Sequence, residues 1–451
     1  MTTVSPISDT KFSQSQRKKV AAGAIGNSLE YVDWALYGLL APVFASQFFP
    51  ESDPVAALLG TLVIYAVGFV ARPLGGSVLG SFGDRFGRKA GLAVSILIMS
   101  GGSLLIALAP TYSVIGLFAP VLLLTGRLAQ GFAAGGEYGT SMAYMIESAP
   151  SRRRGLGGSF QQVSISVGIL LASIIAGILT FSLDEQQMGQ FGWRIGFITV
   201  ALLGFAAYLY RRSVGESDTF VEMQEEQKVT RSPVRFLFTN HKSTVFWVIA
   251  IASPISLVHY IWVTYLPAYA STTYGYSLNK VLLAQTLSTI LLVCVIPLFG
   301  RLSDKVGRRP LLIAASAGSL VFSWPAFNLI GAGLGVYYVT QIFMVMLLAP
   351  YLAVLTVVLV EHTPAQVRST AIGLPYAIAV ALFGGTAPLI ITALAEGGFL
   401  HLVWLYPAVM SLAAVILFVV MRETAFKPLE ESETGLQSES SPYQSAVRDI
   451  Q

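Results

Sequence analysis

Glu30 and Asp33 stand three residues apart in "GNSLEYVDWALYG" (residues 26–38), inside a run otherwise apolar enough for a buried helix. At i and i+3 they share one helical face. A carboxylate at membrane depth costs roughly 3 kcal/mol on insertion scales, so it marks a functional site by default. A second polar stripe follows at Arg127, Gln130, Ala134 and Glu137, spaced i, i+3, i+7 and i+10. The chemistry these residues suit is reversible proton binding. Burial favours the protonated form of a carboxyl and a neighbouring arginine favours the ionised form, so a helix movement that brings Arg127 close or takes it away switches the proton. Asp33, Glu30, Arg127 and Glu137 are the candidates for this task. A static ion pair that fixes helix packing is the alternative.

The same segments offer residues for holding a small molecule: Tyr37, Arg72 in "ARPLGG", Gln130 and Gln161. Arg72 is read as an anion anchor or as a packing or gate residue, since Pro73 and two glycines follow it. The second half of the chain has no equivalent charges. Its lone intramembrane titratable group is His259, beside Tyr260, with Tyr265 and Tyr376 as further cavity-lining candidates. The asymmetry suggests that the first half handles protons and that the second half contacts substrate.

These residues need long apolar helices to carry them. Of 451 residues, 54% are hydrophobic and only 12% charged, against about 25% charged in a soluble protein. Runs near 20 residues match a bilayer core of about 30 Å. Twelve spans are expected, near 20–48, 55–81, 90–109, 113–147, 156–180, 192–212, 243–271, 278–300, 310–331, 334–360, 366–395 and 399–421. The chain divides into a segment at 1–19, a six-helix bundle at 20–212, a polar loop at 213–242, a second six-helix bundle at 243–421 and a Ser- and Glu-rich tail at 422–451 that reads as disordered. The fold class is an all-α membrane protein of two six-helix bundles. Of 28 Lys and Arg residues, only Lys280 falls in a loop on one side, while Arg72, Arg127 and Arg194 lie within spans or at their ends. The positive-inside rule then puts both termini in the cytoplasm. The net charge of +4 is a topology signal and does not point to nucleic acid. One cysteine, Cys294, excludes a disulfide framework. Residues 1–19 are polar and basic, with no apolar core of a signal peptide. No metal or cofactor is expected.

An internal repeat ties the spans together. "GDRFGRK" at 83–89 returns as "SDKVGRR" at 303–309, and "ESAPSRRR" at 147–154 returns as "EHTPAQVR" at 361–368. Both pairs fall at equivalent places in each half, so the halves are parallel repeats related by an axis along the membrane normal, with the substrate site between them near the midplane. Gly83, Gly87 and Gly307 permit tight turns. Asp84 and Asp304 suit hydrogen bonds from helix N-termini, and Arg85, Arg88 and Arg308 suit pairing with acids of the opposite half. Such contacts would hold an inner gate shut.

The loop signature and "GRLAQGFAAGGEYG" at 126–139 resemble the major facilitator superfamily. "GNSLEYVDWALYG", "ARPLGG", "GRLAQGFAAGGEYGTSMAYMIESAP" at 126–150, "GWRI" at 192–195 and "LFGGTAPL" at 382–389 resemble its metabolite:proton symporter family, over about residues 20 to 425. Val32 and Gly196 depart from the family pattern, which usually has an aromatic residue and often a proline there. The family includes permeases for 2-oxoglutarate, citrate, shikimate and the osmolytes proline and betaine. The resemblance implies a secondary transporter of the bacterial inner membrane that brings in a small organic metabolite with a proton by alternating access. "GGEYGTS", "PAQVR" and "LFGG" look closest to the carboxylate permeases. A zwitterionic osmolyte, or an uncoupled facilitator, is the alternative. The partners expected are a small-molecule substrate, protons and the lipid bilayer, with the protein acting as a monomer. No stretch reads G-x-x-x-x-G-K-[ST], which excludes a nucleotide-driven pump.

Overall fold

The computed structural model describes residues 11–49, 54–427 and 429. Twelve long helices dominate them: α1 (Gln14–Phe48), α2 (Pro54–Phe86), α3 (Arg88–Leu108), α4 (Phe118–Glu147), α5 (Arg154–Ser182), α6 (Trp193–Arg212), α7 (Lys242–Tyr274), α8 (Leu278–Val306), α9 (Arg309–Leu329), α10 (Leu334–Glu361), α11 (Ala365–Ala395) and α12 (Leu405–Val420). Ten are long and apolar enough to cross a membrane by length and composition. The two that are not, α1 and α4, are just as long at 35 and 30 residues. They carry Glu30, Asp33, Arg127 and Glu137, so the charged groups themselves account for much of the lost hydropathy.

Several boundaries differ from expectation for local reasons. α1 begins at Gln14, inside the stretch assigned to the N-terminal segment, because Ser13 and Gln16 close a capping box there. The fourth span is interrupted at Gly116, whose φ of +56° ends the short turn Tyr112–Ile115, and α4 starts at Phe118. The polar stretch between α6 and α7 contains two short helices, Asp218–Glu225 and Pro233–Asn240. The expected disordered tail is ordered at its start, where Thr424 and Ala425 are buried. Residues 430–451, like residues 1–10, lie outside the described residues. α7 passes through a π-helical turn at Tyr260–Tyr265 and α11 through another at Val380–Gly384. Such turns inside α-helices are frequent at functional sites, and the Tyr260 ring of the first lies against Gly384 of the second.

Each half has its own apolar core. One gathers Val32, Leu36, Phe44, Phe48, Trp193 and Phe197, and the other is built around α7, α9, α10 and α12. Within the first half, α2 and α4 pack through glycines. A Cβ on Gly131 would meet the Gly68 carbonyl at 2.0 Å, one on Gly135 the Arg72 carbonyl at 1.9 Å, and one on Gly75 the Phe132 carbonyl at 1.8 Å. Small residues four apart allow this backbone approach. Between halves, α2 packs on α11 and α5 on α8, the contacts expected of two-fold related bundles.

Candidate functional site

α1 presents Glu30 and Asp33 to two different partners. Arg127 Nη1 lies 3.6 Å from Asp33 Oδ2, and both side chains are fully buried. Ser103 of α3 and Gln130 of α4 donate to Asp33 Oδ1 at 2.6 and 2.8 Å. Arg127 in turn donates to Gln130 Oε1 at 2.8 Å. The guanidinium rests among the rings of Trp34, Tyr37 and Tyr65, at 4.1, 4.2 and 4.8 Å from their centres. Aromatic faces attract a cation most strongly where water is excluded, so the charge is held without direct hydrogen bonds on every nitrogen.

Glu30 faces Arg72 at 3.7 Å, too long for a hydrogen bond. Neither carboxylate oxygen, nor Arg72 Nε, has a hydrogen-bond partner among the described residues. Arg72 packs over Trp34 and Phe69 at 4.3 and 4.6 Å. Trp34 is therefore shared by the two guanidinium groups. Glu137, expected on one stripe with Arg127, is bound instead by Arg211 of α6, which also donates to the carbonyls of Ala22 and Leu92. α4 is long enough that residues ten apart lie about 15 Å apart along its axis. The stripe therefore serves two sites.

The candidates for substrate contact separate in the same way. Gln130 belongs to the Asp33 network. Tyr37 is buried and its hydroxyl donates to the Thr61 carbonyl at 3.1 Å. Gln161 bonds Asn27 and Ser141, which fastens α5 to α1 and α4. Arg72, His259, Tyr260, Tyr265 and Tyr376 are only partly buried. Tyr260 and Tyr376, from the second half, lie within electrostatic reach of Arg72 and Glu30. Tyr376 stacks on Tyr138 at 4.1 Å, bringing α11 onto α4. Tyr260 lies where a Cβ on Gly384 would touch its ring at 2.8 Å, so the second π-turn seats it. Tyr265 shares a hydrogen bond with Thr392 of α11. The His259 ring lies 6.0 Å from that of Tyr260.

The end that carries the repeated basic loops is tightly closed. Asp84 Oδ1 and Oδ2 accept from the Ser369 and Thr370 amides, each at 2.9 Å, at the start of α11. Asp304 accepts from the Gly155 and Leu156 amides at 2.7 and 3.0 Å, at the start of α5. Each aspartate thus binds a helix N-terminus of the other half, where the helix dipole favours negative charge. The loop arginines do not pair as expected. Arg88 binds Asp84 and Glu147, and Arg308 binds Asp304 and Glu361, all within their own halves. Arg85 is exposed, 5.1 Å over the Phe86 ring. The pairs that cross between halves are Arg368–Glu147 at 2.8 Å and Arg154–Glu361 at 3.3 Å. All four residues lie in the second repeat, where a glutamate precedes an arginine by seven positions in both copies. That spacing was the signal for them. Gly87 and Gly307, at φ +111° and +101°, make the turns before α3 and α9. Glu216 and Glu423 then accept from the first amides of those helices, and Ser217 and Thr424 donate to Glu147 and Glu361. Burial pushes the Glu216 carboxyl above its ordinary value. Gly83 packs on Thr140, where a Cβ would come within 3.1 Å.

The chain is similar to known transporters along nearly its whole length. It is 32% identical over 421 residues to the Alpha-ketoglutarate permease of Escherichia coli, covering 92% of this chain and 96% of that one. It is 30% identical over 424 residues to the Proline/betaine transporter of the same organism, covering 92% and 85%. The Glycine betaine/proline/ectoine/pipecolic acid transporter OusA of Dickeya dadantii is also 30% identical, over 425 residues, with 92% and 85% covered. Among solved structures, the proton:xylose symporter XylE superposes with a TM-score of 0.75 at 20% identity, covering 93% of this chain and 98% of that one. A human organic anion transporter superposes at 0.65 and 15% identity, covering 90% and 100%. The sequence profile of the Major Facilitator Superfamily matches residues 23–296 and 280–450. A twelve-helix pair of repeats, a closed end built from its repeated loops, and relatives that are permeases converge on one conclusion: this chain is a membrane transporter belonging to the Major Facilitator Superfamily.

Proposed function

We propose that the protein takes up a small carboxylate-bearing metabolite together with a proton by alternating access. It works as a monomer in the bacterial inner membrane, with the basic end and both termini in the cytoplasm. The observation that carries the reading is the fully buried Asp33–Arg127 pair, closed in by Ser103 and Gln130. A carboxylate at this depth, with its partner cation on a different helix, changes protonation whenever the helices shift. Asp33 is the carrier of the coupled proton in this reading, and Glu137 joins the Arg211 scaffold.

The substrate region is Arg72 with His259, Tyr260, Tyr265 and Tyr376. The relatives' named substrates support a carboxylate: 2-oxoglutarate, proline, pipecolic acid and glycine betaine all carry one. A zwitterionic osmolyte is the second reading. It is favoured by the opposite charges of Glu30 and Arg72 at 3.7 Å, which match a substrate carrying both signs.

The test uses proteoliposomes with an imposed pH gradient and labelled 2-oxoglutarate or glycine betaine. Asp33→Asn abolishes gradient-driven accumulation while exchange of internal for external substrate survives, because the amide mimics the protonated carrier. Accumulation by Asp33→Asn at the parent's rate, abolished by an uncoupler as in the parent, would sink the reading.

A further inference from the structure

The two acids of α1 are in different situations. Asp33 accepts two hydrogen bonds and has no exposure. Glu30 has a buried carboxylate with no hydrogen-bond partner among the described residues, opposite an arginine that retains 12% side-chain exposure. An ionised buried carboxylate left without donors is held only by the nearby charge. The same guanidinium lies within electrostatic reach of Tyr260 and Tyr376 of the other half.

We propose that Glu30 is an internal competitor for Arg72: a substrate carboxylate seats on Arg72 only after Glu30 has taken up a proton. The inference rests on the symport reading for its physiological meaning, but its own claim concerns binding. With Glu30 ionised, a bound substrate would place two carboxylates on one guanidinium. The other groups facing Glu30 make that worse or leave it unchanged. Glu137 from α4 and Asp33 on α1 add negative charge, and Arg211 from α6 is already held by Glu137. Tyr31, Tyr260 and Tyr376 are neutral donors, and α5 brings uncharged Gln161 and Ser164 against Asn27 one turn away. Protonation removes one negative charge, frees the fork of Arg72 for bidentate contact with the substrate and turns Glu30 into a hydrogen-bond donor to it. One proton is then bound with each substrate carboxylate.

The experiment is equilibrium binding of labelled 2-oxoglutarate and glycine betaine to the full-length protein in nanodiscs, across a pH series and without any gradient. In the parent, apparent affinity for at least one probe falls about tenfold per pH unit on the alkaline limb, as expected when one proton must be bound. Both probes stay ionised throughout that range. Glu30→Gln binds with the parent's acid-limit affinity at every pH, and folded Arg72→Gln binds at none. Glu30→Ala carries the same expectation should the glutamine variant not fold. The inference is overturned if Glu30→Gln keeps the alkaline loss, if folded Glu30→Gln binds at no pH, or if the parent binds neither probe. Uptake by the parent, with and without an uncoupler, separates the two claims. Uncoupler-insensitive uptake in the parent with the binding pattern above defeats the symport reading and leaves the competition standing. Proton-driven uptake with a pH-dependent Glu30→Gln defeats the competition alone.

Discussion

Charges inside this bundle fall into groups that differ in how completely they are satisfied. Asp33 accepts two hydrogen bonds at Oδ1, Glu30 accepts none among the described residues, and Glu137 is clamped by an arginine that ties α1, α3, α4 and α6 together through two backbone carbonyls and the carboxylate. Removing one member of a buried pair leaves an uncompensated charge and costs about 3–5 kcal/mol. Arg211→Gln is therefore expected to lower the melting temperature sharply, and the double variant with Glu137→Gln to recover most of the loss. Equal melting of the single and double variants would show that the arginine acts through its carbonyl bonds alone. Ser103→Ala removes one of two donors to Asp33. It is expected to cost about 1 kcal/mol of stability and to weaken accumulation without abolishing it.

The helices bring these groups together because some of their faces carry no side chains. α2 carries Arg72 and α4 carries Arg127, and the glycines between them set the helix separation. A Cβ at Gly135 would stand 1.9 Å from the Arg72 carbonyl itself. Gly135→Val must push α2 away at the level of the site. Overpacking of this kind costs about 1–3 kcal/mol or more, and transport should fall much further than the melting temperature, since the Arg72–Glu30 spacing changes with it. Gly101→Ala is the control, a helical glycine with nothing within 4 Å. It should leave uptake unchanged and stabilise slightly, by up to about 1 kcal/mol. Loss of uptake in both variants would remove the argument from spacing. The π-turns of α7 and α11 are the counterpart in the second half, where they seat Tyr260 beside Gly384 instead of a charge.

Across the whole molecule, the closed end is doubled. Asp84 of α2 against α11 and Asp304 of α8 against α5 repeat one contact, and the two crossing pairs Arg368–Glu147 and Arg154–Glu361 repeat another. Arg154 also donates to the Lys427 carbonyl, so the segment after α12 joins the first half at this end. In the gating reading we propose for these loops, opening would require all of these contacts to separate together. Asp84→Asn retains shape but loses charge, and it weakens contacts with one helix N-terminus and with Arg88. A single cysteine at Leu374, on α11 near Gly76, placed in a Cys294→Ser background, should then label faster from the basic side. Asp304→Asn should do the same for a cysteine at Ser159. Unchanged labelling and unchanged transport in both would remove the gating role from the loops.

The two-fold repeat, the twelve spans and the pairing of an α1 acid with Arg127 were legible in the residues themselves. Hydropathy, charge asymmetry and repeated loop motifs are properties of order along the chain, and the lipid solvent leaves few folds that satisfy them. Which acid meets which arginine was not legible. Glu30, Asp33 and Glu137 have the same chemistry in the sequence, and only the approach of α2, α4 and α6 to α1 assigns them Arg72, Arg127 and Arg211. The exchange of partners at the closed end has the same origin. Arg88 lies next to its own Asp84 and Glu147 because α2, α3 and α4 converge within one half, whereas Arg154 and Arg368 sit on helix starts that point into the other. The π-turns at Tyr260 and Val380 carry no mark in the order of residues, and Tyr260 meets Gly384 only where α7 and α11 pack against each other. Periodicity reports which face of a helix is buried, and the depth, neighbour and state of satisfaction of each buried charge are decided by packing in three dimensions.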